Sequence, residues 1–298
     1  MQIKDKKFVL WVLVFLFLIN ILAWLVVYDF NKLLFLEVIF FDIGQGDAIF
    51  IKTPKRHQIL IDGGPSSAIL EKLGKELPFW DRTIDLIILT HPEYDHLVGL
   101  IEVVKRYKIE NILWTGVRKE TAEFKEWQRL IEEERMKEDA QIKIAKNGLR
   151  INLLIYEIDR KEGYLEILFP LESLEGGEFK NTNNTSIITK LVFGENSFLF
   201  SGDAYKEIER RLIEGEVDLD SDVLKVGHHG SKTSTSEEFL KEILPEIAVI
   251  SVGKENAYGH PHQEVLEILS KYGIRILRTD IDGDIKFISD GRTLKIKK

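Results

Sequence analysis

The chain opens on an apolar run. Phe8 to Tyr28 is hydrophobic at every position except Asn20, and a helix of that length spans about 30 Å, the depth of a bilayer core. Trp11, Trp24 and Tyr28 lie towards its ends, where aromatic rings favour the membrane interface. Lys4, Lys6 and Lys7 precede the run and only Lys32 follows closely. The pattern predicts a single-pass anchor in the cell membrane, with the N-terminus in the cytoplasm and the large domain extracytoplasmic. A cleaved signal peptide is the rival reading. The run is long for one, and no small-x-small cleavage site precedes the first strand.

Beyond the run the hydrophobic period shortens. Apolar stretches of strand length occur at 36–41, 48–52, 58–62, 84–89, 111–114, 141–145, 149–158, 164–169, 187–193, 198–203, 222–226, 247–252 and 274–278, with a hairpin through Ser289 to Arg292. Helical patterns fill 66–80 (ending before Pro78), the stretch from Leu97 to Lys108, 119–137 and 263–271. In the third of these, Phe124, Trp127 and Ile131 form a packing stripe among solvated charges. Helices and strands alternate in two halves. That predicts an α/β fold, an αββα sandwich with its chemistry at one rim, behind one transmembrane helix. The implied organisation is 1–30 for the cytoplasmic N-terminus and anchor, 31–35 for a short linker, and 36–298 for one domain.

Composition narrows the chemistry. The 298 residues carry a formal net charge of −8 and no cysteine. Neither a disulfide scaffold nor a thiolate zinc site is possible. The acidic balance argues against a broad basic face gripping duplex DNA by counterion release.

Imidazole and carboxylate chemistry is concentrated instead. Thr90-His91-Pro92-Glu93-Tyr94-Asp95-His96 follows the apolar run Ile84 to Leu89, so these side chains leave a buried strand at its carboxyl end, where α/β folds place their sites. The spacing of His91, Glu93, Asp95 and His96 lets imidazoles and carboxylates converge on one point, as a metal ion requires.

This stretch resembles the His-x-His-x-Asp-His signature of the metallo-β-lactamase fold, with Glu93 replacing the second histidine. Further motifs occur in order: Phe41 to Ala48, Leu60-Ile61-Asp62-Gly63-Gly64, Ser201-Gly202-Asp203, Gly227-His228-His229-Gly230-Ser231 and Tyr258-Gly259-His260-Pro261. Together they resemble the metallo-β-lactamase-like domain of ComEC-type DNA-uptake proteins over residues 36 to 298. The resemblance implies two divalent metal ions. Asp95, His96 and His228 with bridging Asp203 would form one site, and His91, Glu93 and Asp203 the other. Asp95 would also serve catalysis, and His260 would contact phosphate or transfer a proton. His229 would hold its loop or contact substrate, and Asp62 would support the metal loop.

Asn184 and Ser186 stand where the fold often has a histidine. They would bond a water or phosphate, or simply form a turn. Asp42, Gln45 and Asp47 would border the site, although turn chemistry explains them equally. Ser231 and Lys232 offer phosphate contacts, while helix capping suits Ser234 or Ser236.

The implied function is phosphodiester hydrolysis outside the cytoplasm, with DNA as substrate and a DNA-uptake channel as a partner. Carboxylate-rich ligation favours manganese over zinc. These residues contain neither that family's polytopic channel nor its oligonucleotide-binding domain, so they are not expected to transport DNA themselves. A lactonase or thioesterase on the same fold, and a non-catalytic competence accessory, are the competing readings.

Overall fold

The computed structural model describes residues 3–30, 35–153 and 163–297. Residues 154–158 of the predicted strand 149–158 lie outside that set. The N-terminal run forms one helix, α1 (Ile3–Phe30). Its stretch Lys6–Trp24 is long and apolar enough to cross a membrane, and none of it is buried in protein. The remainder is a separate compact unit.

That unit is built on two sheets. The first holds β1 (Leu36–Phe40), β2 (Ile49–Lys52), β3 (Gln58–Ile61), β4 (Thr83–Ile88), β5 (Lys108–Trp114) and β6 (Gln141–Ile144) side by side in chain order. The second runs in chain order through β7 (Arg150–Asn152), β8 (Gly163–Phe169), β9 (Ile188–Phe193), β10 (Asn196–Phe200), β11 (Val223–Lys225), β12 (Ile247–Ile250) and β13 (Arg275–Arg278). The chain then returns to the first sheet, where β14 (Ile285–Ser289) pairs antiparallel with β1 and with β15 (Leu294–Lys297).

Successive side chains on a strand face opposite ways. On β1, Val38 and Phe40 enter the core between the sheets, while Ile39 and the following Phe41 face outward under helices. Both faces are therefore apolar, which is why these strands read as continuous hydrophobic runs. Helices α2 (Ala68–Glu76), α3 (Tyr94–Val104) and α4 (Ala122–Lys137) cover the first sheet. Helices α5 (Lys206–Glu214), α6 (Glu237–Ile243) and α7 (Gln263–Lys271) cover the second. The predicted αββα sandwich is the fold observed.

Strands β3 to β6 are parallel, as are β10 to β13. Their carboxyl ends meet at one rim and carry the polar loops there.

Several boundaries differ from the sequence reading. Helix α3 stops at Val104 rather than Lys108, and β5 begins at Lys108 because that residue already pairs with Thr83. Ser236, and not Ser234, caps α6 by accepting a hydrogen bond from the Phe239 amide at 3.2 Å. His262 occupies the capping position of α7 but makes no side-chain cap. Its Nδ1 accepts from the Lys232 amide at 3.2 Å instead.

Helix α3 is held against the loop after β3 by backbone contact. The Gly63 amide donates to the His96 carbonyl and the Gly99 amide to the Gly64 carbonyl, each at 2.8 Å. A Cβ on Gly99 would stand 1.7 Å from the Gly63 carbonyl oxygen. Backbone cannot yield as a side chain would, so Gly99→Ala is expected to destabilise the domain by about 1–3 kcal/mol or more. Urea unfolding of the two proteins measures this, and an unchanged midpoint would refute the close-packing account.

Candidate metal centre

Asp62 directly follows β3 and is fully buried. Its Oδ1 accepts from the Thr90 amide at 2.8 Å, and its Oδ2 accepts from the Thr90 hydroxyl at 2.6 Å. The same Oδ2 lies 2.7 Å from His96 Nδ1. A carboxylate only accepts, so His96 carries its proton on Nδ1 and turns Nε2 towards the rim. The Thr90 hydroxyl, having donated to Asp62, accepts from His91 Nδ1 at 2.9 Å. His91 Nε2 is thereby freed as well. Across the rim His229 Nδ1 donates to the Ser251 carbonyl at 2.9 Å, leaving its Nε2 free.

The Nε2 atoms of His91, His96 and His229 are all buried without a hydrogen-bond partner, as is Asp203 Oδ1. Buried polar atoms are seldom left so. Ligand atoms of Asp95, His96, Asp203 and His229 lie within 4.8 Å of one another. His229 Nε2 stands 3.2 Å from Asp95 Oδ2 and 3.3 Å from Asp203 Oδ2, and His96 Nε2 stands 3.3 Å from that same Asp203 oxygen. Imidazole nitrogens each fixed through the far ring atom, facing carboxylates, are the donor set a divalent cation takes. The residues present fit such an ion.

The charge pattern agrees. Burial disfavours the cationic forms of His96 and His229, yet Asp203 with Asp62 or Asp47 outweighs it and raises both imidazoles well above their ordinary range. Burial opposes ionisation of Asp203 and Asp95 too, and the neighbouring histidines overcome it to hold both low. The carboxylates that draw positive charge onto His96 and His229 would equally favour a divalent cation there.

The sequence-predicted residues divide in the folded chain. Asp95, His96 and Asp203 come together, with His91 beside His96 at a ring separation of 4.2 Å. The paired histidines are placed differently from one another. His229 joins the cluster, whereas His228 lies at its edge, with Nε2 3.9 Å from Asp203 and Nδ1 3.0 Å from the Thr233 hydroxyl. Both residues adopt left-handed φ values, 48° and 54°, and that twist aims adjacent rings in different directions.

Glu93 lies at the cleft with its carboxylate engaged elsewhere. Its carboxylate pairs with Lys119 at 2.5 Å and accepts from the Thr182 hydroxyl, outside the convergent group. Asn184 faces away, donating to Glu207 at 3.2 Å and accepting from the Tyr205 amide at 3.3 Å. Ser186 accepts from the Asp203 amide at 3.1 Å and so positions that aspartate. Gln45 accepts from the Gly253 amide at 3.1 Å, tying two rim loops together. Asp42 accepts from the Gly44 amide within its own turn. Ser231 bonds Thr233, and the Lys232 side chain is exposed.

A cleft of about 180 Å³ opens over the cluster, lined in part by Glu93, Asn183, Tyr258 and His260. Burial, with His228 next, lowers His260 to about 4, so its imidazole is neutral at pH 7. A larger hollow of about 330 Å³ beside Asp85 and Asn152 holds no converging metal-ligand set among the described residues.

Two residues escaped the sequence reading. Asn183, not Asn184, faces the cleft, its amide 3.4 Å from His228 Nε2. Lys225, on apolar β11, is 1% exposed. Its ammonium pairs with Asp47, donates to the Gly202 carbonyl at 3.0 Å, and lies 3.5 Å from Asp203 Oδ1. A lone lysine inside a strand of Val and Leu was the available signal, since a buried lysine requires a partner.

Comparisons with known proteins place the chain in a family. The family model of the metallo-beta-lactamase superfamily matches residues 41–254. ComE operon protein 3 of Bacillus subtilis (strain 168) is 33% identical over 270 residues, which cover 84% of this chain and 33% of that protein. Competence protein ComA of Neisseria gonorrhoeae is 32% identical over 251 residues, covering 83% of this chain and 31% of that one. The chain thus spans about a third of the length of these relatives. Among solved structures, a mutant of CmlA beta-hydroxylase superposes with a TM-score of 0.51 at 14% identity, covering 85% of this chain and 53% of that one. That likeness concerns the fold alone.

The electrostatics yield two expected outcomes. A metal ion takes neutral imidazole, so cation binding must displace the protons on His96 and His229. Calorimetric binding enthalpies at pH 7 should therefore vary with the ionisation enthalpy of the buffer, and affinity should fall as pH falls. Buffer-independent enthalpies would contradict this. Lys225→Met strands Asp47 beside Asp203, and breaking such a buried pair costs about 3–5 kcal/mol. The loss should show in the unfolding midpoint of the metal-free protein and shrink when a divalent cation is added. A loss unaffected by cations would mean that Lys225 does not balance the cluster.

Proposed function

This chain belongs to the metallo-beta-lactamase superfamily, and on that premise we propose a membrane-anchored, metal-dependent phosphodiesterase acting on DNA outside the cytoplasm. The observation that carries a metal-dependent hydrolase is the group of buried, unpartnered imidazole nitrogens facing Asp95 and Asp203 beneath an open cleft. Likeness to a protein named for competence supports DNA as the substrate and a DNA-uptake channel as partner.

Asp95, His96, Asp203 and His229 would hold the first ion. His91 would serve a second, joined by Glu93 once that carboxylate leaves Lys119. Divalent cations there supply Lewis-acid activation of water and of the phosphoryl oxygens. The mixed carboxylate and imidazole set favours manganese over zinc.

The remaining roles fall to the chain's own side chains. Lys225 keeps a fixed positive charge behind Asp203, so the carboxylate stays ionised and oriented. Asn183, at the cleft edge, can donate to phosphoryl oxygens, and His228, whose Nδ1 is engaged by Thr233, presents an accepting Nε2 beside it. Neutral His260 can accept a proton there and return it to the leaving oxygen. The acidic chain, at −8, suits a strand threaded into a local cleft better than a duplex held along a broad face.

Purified full-length protein, assayed on labelled single-stranded DNA, RNA and a lactone across manganese, magnesium and zinc, tests the proposal. Manganese-stimulated cleavage of DNA is expected, and Asp203→Asn should reduce it by roughly 100-fold or more. Lactone turnover with no phosphodiester turnover would overturn the assignment in favour of another hydrolase class. Near-native DNA cleavage by the Asp203→Asn protein would remove Asp203 from the centre.

A further inference from the structure

Two tyrosine–histidine stacks stand at the cleft, and they differ in what they leave free. In the first, the Tyr205 ring lies on His228 with centroids 5.2 Å apart and planes 19° from parallel. That tyrosine is engaged, because its hydroxyl accepts from the side-chain amide of Asn183 at 3.4 Å and its backbone amide donates to Asn184 at 3.3 Å. In the second, Tyr258 lies on His260 with centroids 5.6 Å apart and planes 23° from parallel. Its ring lines the cleft yet is 68% exposed, and its hydroxyl makes no hydrogen bond among the described residues.

The loop that presents Tyr258 is fixed without it. The side-chain amide of Asn256 donates to the Gly253 carbonyl at 2.9 Å and to the His260 carbonyl at 2.7 Å, and its Oδ1 accepts from the His260 amide at 2.9 Å. The Gly253 amide in turn is held by Gln45 of the opposite rim loop. Gly259 takes a left-handed φ of 71°, which a residue with a side chain rarely adopts, and so lets the rings on either side of it stack. Tyr258 therefore stands on a braced loop to whose bracing it adds no hydrogen bond.

A single exposed aromatic is ordinary on a protein surface; this one is set apart by its place. It is two ring-to-ring steps from the metal cluster, His260 lying 6.4 Å from His229 and Tyr258 5.6 Å from His260. A nucleotide spans a comparable interval between its phosphate and its base. Lys254 and Glu255, both exposed on the same loop, offset each other, so the loop offers a ligand a flat face rather than a charge. In a phosphodiester held at the cation site by its phosphoryl oxygens, the flat and uncharged part is the base.

We propose that the exposed face of Tyr258 is a stacking subsite for the nucleobase next to the scissile phosphate, and that it makes the cleft selective for unpaired nucleotides. A base inside a duplex is covered by its neighbours and must leave the stack before a side chain can lie against it, whereas an unpaired base is free to do so. Every base has a π face, so the subsite grips a strand without reading its sequence. The choice of a nucleobase as occupant rests on the phosphodiesterase reading of the metal centre.

Binding and cleavage together test it. Full-length native, Tyr258→Ala and Tyr258→Phe proteins, loaded with manganese, are titrated into end-labelled phosphorothioate ligands that resist hydrolysis. The ligands are a DNA single strand, an abasic strand of the same length, and the duplex. The native and Tyr258→Phe proteins should bind the single strand roughly 10-fold or more tighter than the abasic strand, and tighter than the duplex. Tyr258→Ala should lose that preference while its metal content and its affinity for the abasic strand stay unchanged. On the matching cleavable strand the loss should appear in KM, with kcat retained. Equal weakening of both strands by Tyr258→Ala, or a native protein that does not distinguish the single strand from the abasic strand or the duplex, would overturn the subsite whether or not the strand is cleaved. Base-dependent binding that needs Tyr258, without cleavage in any metal, would keep the subsite and refute the phosphodiesterase reading.

Discussion

The Asp62 carboxylate is the constraint on which the site depends. It is buried at the end of β3 and accepts from the Thr90 amide, the Thr90 hydroxyl and the His96 ring. One side chain thereby sets the tautomer of His96 and, through Thr90, that of His91. Without it the free Nε2 atoms would have no fixed direction. Its own ionisation is opposed chiefly by burial, which raises it above the usual carboxylate range. The arrangement persists because its hydrogen bonds supply what water would have provided. The glycine contact between α3 and the loop after β3 brings His96 within reach of that carboxylate.

Charge balance then extends the constraint across the rim. Asp47, Asp95 and Asp203 bring negative charge into a buried space, and Lys225 with the His96 and His229 protons offsets it. Lys225 is a fixed, buried positive charge, whereas protons on the histidines would give way to a metal ion. The sandwich thus gathers these buried charges at the rim where its parallel strands end.

Much of this was legible in the sequence. Apolar runs buried on both faces announced their strands, and the ordered motifs located Asp62, His91, Asp95, His96 and Asp203. Three points were not legible. The choice between His228 and His229 depends on two left-handed residues in succession, and no periodicity reports backbone sign. Glu93 was read by its spacing, but spacing does not reveal that Lys119 and Thr182 compete for its carboxylate. Asn183 and Asn184 differ by one position in a tight 3-10 turn (Thr182–Thr185), which sends neighbouring side chains to different sides. Lys225 was visible but unassigned, because its partner Asp47 is distant in the chain and near only in the fold.

The central claim is that His229, with Asp95, His96 and Asp203, holds a divalent cation beneath the cleft. Metal content and X-ray absorption of the full-length native, His229→Ala and His228→Ala proteins test it most directly. The native and His228→Ala proteins should retain the ion with imidazole nitrogen in its coordination sphere, and His229→Ala should lose it. Retention by His229→Ala together with loss by His228→Ala would contradict the account.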